Sequence, residues 1–139
     1  MDKKINGLEV SNILYAELNK YLLKKQAIPR VVDLSIGHDF GGEMYAKMKE
    51  KNITSKTMID FISVHFDEIT KEELEQYIIN INNDNTISGL MIQLPLPKHL
   101  QAEERRLLDL INPIKDVDGL TSLSAGRLST GDHTLIPCT

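Results

Sequence analysis

Long apolar runs and cysteine pairs are both missing from this sequence. Cys138 is its only cysteine, so no disulfide can form within the chain, which fits a reducing compartment. No apolar run approaches the roughly 20 residues that a membrane-spanning helix requires. Residues 1–10 contain no apolar stretch of signal-peptide length. We therefore expect a cytoplasmic protein with no membrane partner.

Basic charge and several well-known motifs are also scarce. The chain has 20 acidic and 16 basic residues and a net charge of −4, whereas nucleic-acid-binding proteins usually carry a basic excess. We therefore expect no nucleic-acid partner, although an anionic small molecule is not excluded. No Gly-x-Gly-x-x-Gly or Gly-x-Ser-x-Gly motif occurs. The four histidines lack paired spacing, and the Asp-x-Asp-Gly at 116–119 lacks the other ligands of a calcium loop, so we expect no metal site.

What the chain does contain is a regular alternation of apolar patterns. At 139 residues and 41% apolar composition, it suits one soluble globular domain. Val10, Ile13, Leu14, Leu18 and Leu22 form one stripe at helical spacing, and Thr70 with Glu73 forms a capping-box signature. The predicted helices cover residues 7–25, 39–52, 70–82, 102–111 and a short stretch near 122–128, and the predicted strands cover 29–37, 58–66 and 87–93. This order predicts an α/β three-layer sandwich, with a mainly parallel sheet and helices on both faces.

Parallel sheets of this type bind ligands beyond the carboxyl ends of their strands, which directs attention to the segments after Gly37, after Gln93 and from Lys115 onward. In the first segment Tyr45 and Lys49 are four residues apart and share a helix face. An aromatic ring beside an amine could stack on a flat ligand and move a proton. Equally, lysines near a helix C-terminus are commonly solvated and favoured by the helix dipole.

The other two segments carry an amide and a pair of carboxylates. Gln93 ends its strand, and its amide offers a donor and an acceptor, while Pro95 and Pro97 stiffen the backbone that follows. The alternative is a strand end followed by a proline-rich turn. Asp116 and Asp118 precede a glycine. A carboxylate here could accept two N–H donors from a ring amidine, or the segment could be an Asx turn.

Taken together, these segments resemble a known family. Tyr45-x-x-x-Lys49, "IQLPLP" (92–97), "PIKDVDGLTSLSAGRL" (113–128) and "IPCT" (136–139) occur in the order and spacing of the bifunctional methylenetetrahydrofolate dehydrogenase/cyclohydrolases. The resemblance covers essentially the whole chain. It implies that residues 1–139 are the folate-binding catalytic domain of that family.

The resemblance also implies a role for each matching residue. Lys49 would be the catalytic base and acid, and Gln93 would hydrogen-bond Lys49 and help to set its protonation. Asp118 would bind the amino-pyrimidine edge of the pterin. The other implied substrate-binding residues are Tyr45, which would stack on the folate ring, and Leu94, Pro95 and Leu96, which would form an apolar wall.

The family's activity is then the expected one. The parent enzyme would oxidise 5,10-methylenetetrahydrofolate to the methenyl compound with NADP or NAD, and would hydrolyse the product to 10-formyltetrahydrofolate. This chemistry belongs to one-carbon metabolism and supplies purine biosynthesis. In the family the chain continues into a Rossmann domain that binds NAD(P), and the full protein is a homodimer. We therefore expect this chain to be part of a longer protein, to hold tetrahydrofolate but no cofactor of its own, and to be weak or inactive alone.

Two other interpretations remain at this stage. The chain could be a non-catalytic binding or interaction domain that keeps the fold, or a different α/β enzyme that acts on an acidic metabolite. Binding of a folate analogue separates the folate enzyme from the second of these, and turnover separates it from the first.

Overall fold

The computed structural model describes residues 5–37 and 40–137, so Cys138 lies outside the described residues. Five α-helices and three β-strands alternate along them. The helices are α1 (Gly7–Lys25), α2 (Phe40–Lys56), α3 (Lys71–Asn83), α4 (Glu104–Leu108) and α5 (Ser122–Ser129), and the strands are β1 (Arg30–Ile36), β2 (Asp60–Phe66) and β3 (Gly89–Ile92). A short 3-10 turn, Gln101–Glu103, leads into α4. None of the helices in these ranges is both long and apolar enough to cross a membrane.

The three strands form a parallel sheet, as the alternation of elements predicts, and their order in it is β2-β1-β3. In its register Asp33 of the central strand lies between Ser63 and Met91. Beyond β3 the backbone N–H of Leu90 donates to the carbonyl of Lys115 (2.8 Å), and a single parallel bridge joins Leu90 to Asp116. The segment after α4 therefore runs along the edge of β3.

Helices cover both faces of the sheet. Successive side chains of a strand point to opposite faces, so Val32 and Leu34 face one side and Asp33 the other. Val32 and Leu34 are buried in a core that includes Ile78 of α3. On the opposite side Asp33 meets Lys49 of α2. This arrangement confirms the predicted three-layer α/β architecture.

The capping box at the start of α3 is present as predicted. The Thr70 hydroxyl accepts the backbone N–H of Glu73 (3.2 Å), and the Glu73 carboxylate accepts the N–H of Thr70 (2.9 Å). Leu74, Ile78 and Ile81 form the buried stripe of this helix, and Tyr77 is half-buried. The local sequence thus determines both the start of α3 and the face that it buries.

The apolar stripe of α1 is, by contrast, largely exposed. Val10, Ile13 and Leu14 are exposed, and only Leu22 near the helix C-terminus is buried. Asn19 attaches this half of α1 to the end of α2, because its amide donates to the carbonyl of Lys56 (2.8 Å) and accepts the N–H of Met58 (3.0 Å). The helix is where the periodicity predicts it, but its first half contributes little to the core.

The helix predicted over 102–111 is shorter than expected, since α4 ends at Leu108. The N–H groups of Leu110 and Ile111 donate to the carbonyls of Leu107 (3.2 Å) and Leu108 (3.0 Å), which are three residues earlier. Tightened turns of this kind satisfy carbonyl groups at a helix end without continuing the helix. The prediction was therefore right in position and too long in extent.

Candidate functional site

The candidate site lies on the face of the sheet that α2 covers. Asp33 on β1 and Met91 on β3 are register partners, so their side chains project side by side. Lys49 reaches this pair from α2. Its Nζ lies 3.5 Å from Asp33 Oδ2 and 3.3 Å from the Met91 sulfur. The lysine is thus held over the middle of the sheet rather than extended into solvent.

Tyr45 lies one helical turn before Lys49 and on the same side of α2. The Lys49 Nζ is 5.1 Å from the centre of the Tyr45 ring, which is within the range of a cation–π interaction. The ring itself is 55% exposed. The predicted pairing of ring and amine is confirmed, and the exposed ring can still stack on a ligand.

Gln93 does not contact Lys49 in the predicted way. Its side-chain amide donates to Asp33 Oδ1, and it is the other oxygen of Asp33 that faces Lys49. The link between amide and lysine therefore runs through a buried carboxylate that the motif analysis missed. A signal for Asp33 was available, because an acidic residue in the middle of the apolar strand "VVDLS" requires a partner once it is buried.

Lys115 and Asp116, the first charged pair of "KDVDG", have structural contacts. Lys115 is buried, and its Nζ donates to the carbonyls of Ile81 and Asp84, both at 2.7 Å. Asp116 accepts the Ser124 hydroxyl (2.6 Å) and the N–H of Thr121 (3.1 Å) at the start of α5. Burial raises the pKa of Asp116, but hydrogen bonds from Ser124 and Thr121 outweigh burial and hold that pKa below its ordinary value.

Asp118, the other carboxylate of the motif, interacts electrostatically with Lys49. It is half-buried, and burial raises the pKa of its carboxyl. The Lys49 ammonium offsets part of this rise in the Asp118 pKa, whereas the Asp33 and Asp116 carboxylates add to it. Asp118 therefore lies within electrostatic range of the lysine. Asp116 does not form an Asx turn, because its carboxylate accepts the N–H groups of Leu120 (3.2 Å) and Thr121 (3.1 Å), four and five residues later in the chain. Ligand binding by Asp118 stays a prediction.

Two glycines allow this loop to fold against β3. Gly119, directly after Asp118, has a φ of +69°, a conformation that favours glycine. A Cβ on Gly89 would clash with Cγ1 of Val117, so Val117 could not keep its present position beside β3 if residue 89 carried a side chain. The position of Asp118 thus depends on a residue 29 positions earlier in the chain.

The segment after Gln93 divides between surface and core. Leu94 and Pro95 are exposed, as residues that line a slot must be. Leu96 is only 2% exposed and belongs to the hydrophobic core, so its predicted place in the apolar wall is wrong. Its backbone is held inward at both ends, since its N–H donates to Glu104 (3.2 Å) and its carbonyl accepts the Gln101 amide (3.1 Å).

Comparison with known proteins identifies relatives of this chain. A model of the family described as tetrahydrofolate dehydrogenase/cyclohydrolase, catalytic domain, matches residues 5–118. The "Bifunctional protein FolD" of Mycoplasma mycoides is 34% identical over 142 residues, which cover 100% of this chain and 48% of that protein. The FolD protein of Bacillus thuringiensis is 38% identical over 138 residues, which cover 97% of this chain and 48% of that protein. The chain therefore spans about half the length of the curated relatives it matches.

Solved structures give the same result for the fold. The bifunctional 5,10-methylenetetrahydrofolate dehydrogenase/cyclohydrolase of Thermoplasma acidophilum superposes with a TM-score of 0.86 at 25% identity, over 94% of this chain and 47% of that one. The Trypanosoma brucei enzyme, solved with NADP cofactor and an inhibitor, superposes with a TM-score of 0.84 at 26% identity, over 96% of this chain and 47% of that one. Since the family model matches most of its residues, the chain belongs to the tetrahydrofolate dehydrogenase/cyclohydrolase family.

Proposed function

We propose that residues 1–139 form the folate-binding catalytic domain of a bifunctional enzyme. That enzyme oxidises 5,10-methylenetetrahydrofolate to 5,10-methenyltetrahydrofolate with NADP and hydrolyses the product to 10-formyltetrahydrofolate. Family membership supports this proposal, and the observation that carries it is the contact of the Lys49 amine with the Tyr45 ring, with Asp118 within electrostatic range of the same lysine. These three residues come from two separate segments and supply a ring, an amine and a carboxylate.

The folate ring would be held by three kinds of contact. Asp118 is the acceptor for the amino-pyrimidine edge of the pterin, because a carboxylate can take two parallel N–H donors. The exposed Tyr45 ring is available for stacking on the flat ligand. Leu94 and Pro95 would form the apolar wall, without Leu96. Gln93 would contribute indirectly, because its amide donates to Asp33.

Hydrolysis requires a group that can both take and return a proton. Water adds to the methenyl carbon of the substrate and gives up one proton. As the bond from that carbon to a ring nitrogen breaks, the nitrogen takes up a proton, and the remaining hydroxyl proton is released to solvent as the formyl C=O forms. Lys49 is the residue of this site that suits both transfers, since a lysine amine accepts a proton and its ammonium donates one. Transfer in and out leaves the lysine unchanged at the end of the cycle.

The dehydrogenase step needs a nicotinamide to accept hydride. The sequence has no Gly-x-Gly-x-x-Gly motif, and we assign cofactor binding to the half of the relatives' length that this chain does not span. The Trypanosoma brucei relative was solved with NADP, which favours NADP over NAD. A homodimeric parent, a cytoplasmic location and a role in purine biosynthesis are further proposals that rest on the family resemblance.

Calorimetric titration with a folate analogue tests the binding proposal. Asp118→Asn keeps the shape of the side chain but removes its charge and replaces one acceptor with a donor. Loss of a charged hydrogen-bond pair of this kind should weaken binding about ten- to a hundredfold. Asp132→Asn is the matched control, because Asp132 is an exposed turn residue that accepts the N–H of Thr134 (3.0 Å). Equal affinity in wild type and Asp118→Asn would contradict the proposal.

A further inference from the structure

We infer that Asp33 is a positioning residue for Lys49. Its carboxylate pairs with the lysine ammonium and holds it in place beneath the folate site. The catalytic consequence of this inference rests on the proposed function. The structural claim concerns only Asp33, Gln93 and Lys49 and does not require folate.

The two oxygens of Asp33 have different surroundings. Oδ1 accepts the Gln93 amide, which fixes the plane of the carboxylate. Oδ2 has no hydrogen-bond partner and faces the Lys49 ammonium at 3.5 Å. The Gln93 amide thus orients the Asp33 carboxylate, and the Asp33 carboxylate holds the Lys49 ammonium.

Burial of both side chains increases the importance of the interaction between Asp33 and Lys49. The Asp33 side chain is 1% exposed and that of Lys49 is 17% exposed, so little water reaches either group. A buried carboxylate without compensation is strongly unfavourable, and the ammonium is the cation placed to compensate it. Removing the Asp33 charge would leave the lysine partly buried without its nearest counter-ion, which favours the neutral amine.

Other groups near Lys49 do not replace Asp33. The Tyr45 ring and the Met91 sulfur lie beside the amine but carry no charge to balance it. Asp118 is the other carboxylate that acts on Lys49 from a neighbouring segment, and Asp116 lies beyond it. Under the proposed function Asp118 is occupied by the pterin when folate binds. In that state Asp33 pairs with Lys49, while Asp118 binds the ligand.

Site-resolved carbamylation with cyanate tests the charge of Lys49 directly, because only the neutral amine reacts. Labelling of Lys49 is measured by mass spectrometry as a ratio to Lys47, an exposed lysine on the same helix, so that reagent concentration cancels. In Asp33→Asn we expect this ratio to rise about tenfold at neutral pH, since a partly buried amine that has lost its counter-ion favours the neutral, reactive form. The difference should shrink as the pH approaches about 10.4, where an ordinary lysine loses its proton.

Three controls make the outcome decisive. Asp60→Asn makes the same chemical change on β2, where Asp60 pairs with Arg30 at 2.6 Å, and should leave the Lys49 ratio unchanged. Labelling of the buried Lys115 reports loss of folding. If Asp33→Asn fails that check, Asp33→Val replaces it with the same expectation, because valine suits a buried strand.

Either of two results would overturn the inference. An unchanged Lys49 ratio in the Asp33 variant would show that the carboxylate does not control the lysine's charge. A rise in the Lys49 labelling ratio that is the same at every pH would show that cyanate reaches Lys49 more easily in the variant. A purely structural role of Asp33 would produce that result.

The catalytic consequence has its own measurement. In the protein that hydrolyses methenyltetrahydrofolate, Asp33→Asn should move the acid limb of the pH–rate profile to lower pH, because the lysine loses its counter-ion. An unmoved limb would confine the role of Asp33 to structure. The labelling experiment needs no folate, so its result would stand even if the proposed function were wrong. The proposed function and the positioning role of Asp33 can therefore be refuted separately.

Discussion

Replacement of Lys115 by methionine is predicted to cost the fold a substantial part of its stability. Methionine keeps most of the length and apolar packing of the lysine stem but cannot donate hydrogen bonds. The carbonyls of Ile81 and Asp84, at the end of α3, would both lose a donor at 2.7 Å. Lys115 begins the loop in which the sequence analysis expects a ligand-binding segment, and this variant tests whether the lysine itself anchors that loop.

The size of the effect follows from these two contacts. A hydrogen bond to a charged group contributes about 1.5–3 kcal/mol, so two of them contribute about 3–6 kcal/mol. Removing the ammonium also removes the cost of burying it, and water can replace the donor at the exposed Asp84. We expect a net loss of about 2–4 kcal/mol, which is large against the roughly 5–15 kcal/mol of an ordinary domain.

Urea denaturation followed by circular dichroism measures this loss. With a denaturant dependence of about 1–3 kcal/mol per molar, the midpoint should fall by about 1–2 M. Lys71→Met is the matched control, because Lys71 forms only a surface ion pair with Glu72 (3.6 Å) and should change stability by less than about 0.5 kcal/mol. If Lys115→Met loses no more stability than this control, Lys115 is not an anchor.

Three further predictions concern the loop that carries Asp118. Asp116→Ala should destabilise the fold by about 2–4 kcal/mol at pH 7, because several hydrogen-bond donors lose their acceptor. Since hydrogen bonds lower the pKa of Asp116, the stability that its carboxylate contributes should be lost as the pH falls below about 3.8. Urea denaturation of both proteins at pH 7 and at pH 3 measures this loss. Burial raises the pKa of Asp118, so its ionised form destabilises the folded protein. Asp118→Asn should therefore unfold at a higher urea concentration than wild type at pH 7. The difference between the two urea midpoints should close as the pH falls through the raised pKa. Gly89→Ala should displace Val117 and weaken binding of a folate analogue roughly tenfold, whereas Gly126→Ala, with open space around its Cβ, should not.

Much of the fold could be predicted because its determinants are local. The capping box of α3 and the alternation of strands and helices are determined by residues that are close in sequence. The parallel sheet follows from the order of strands and helices along the chain. Burial is less local. The stripe on α1 has the right period for a buried face, but its exposure depends on what packs against it. The end of α4 likewise depends on tightened turns that periodicity does not reveal.

The site could be predicted only in part for a similar reason. Tyr45 and Lys49 were found because one helical turn separates them. Spacing cannot decide between Asp116 and Asp118, since the choice depends on how the loop crosses Gly89 on another strand. Asp33 was visible as a charge in an apolar strand, but its partners follow from the register of β1 with β3 and the placement of α2, which no local pattern contains.

Composition also fails to separate a ligand wall from a core. Leu94 and Leu96 look alike in "LPLP", yet one is exposed and the other belongs to the core. The difference arises from hydrogen bonds that hold the backbone of Leu96 against Glu104 and Gln101. Those contacts are side chain to backbone and lie five and eight residues away, beyond what the motif itself specifies.

Hydrolysis of methenyltetrahydrofolate by Lys49→Met is the measurement that tests the central claim most directly. Lys47→Met is its control, since Lys47 is an exposed lysine on the same helix. We predict that wild type and Lys47→Met accelerate hydrolysis above the buffer rate, whereas Lys49→Met binds a folate analogue but returns to the buffer rate. Equal turnover in Lys49→Met and Lys47→Met would contradict the assignment of the proton transfers to Lys49. Binding without any turnover in wild type would instead identify a non-catalytic folate-binding domain.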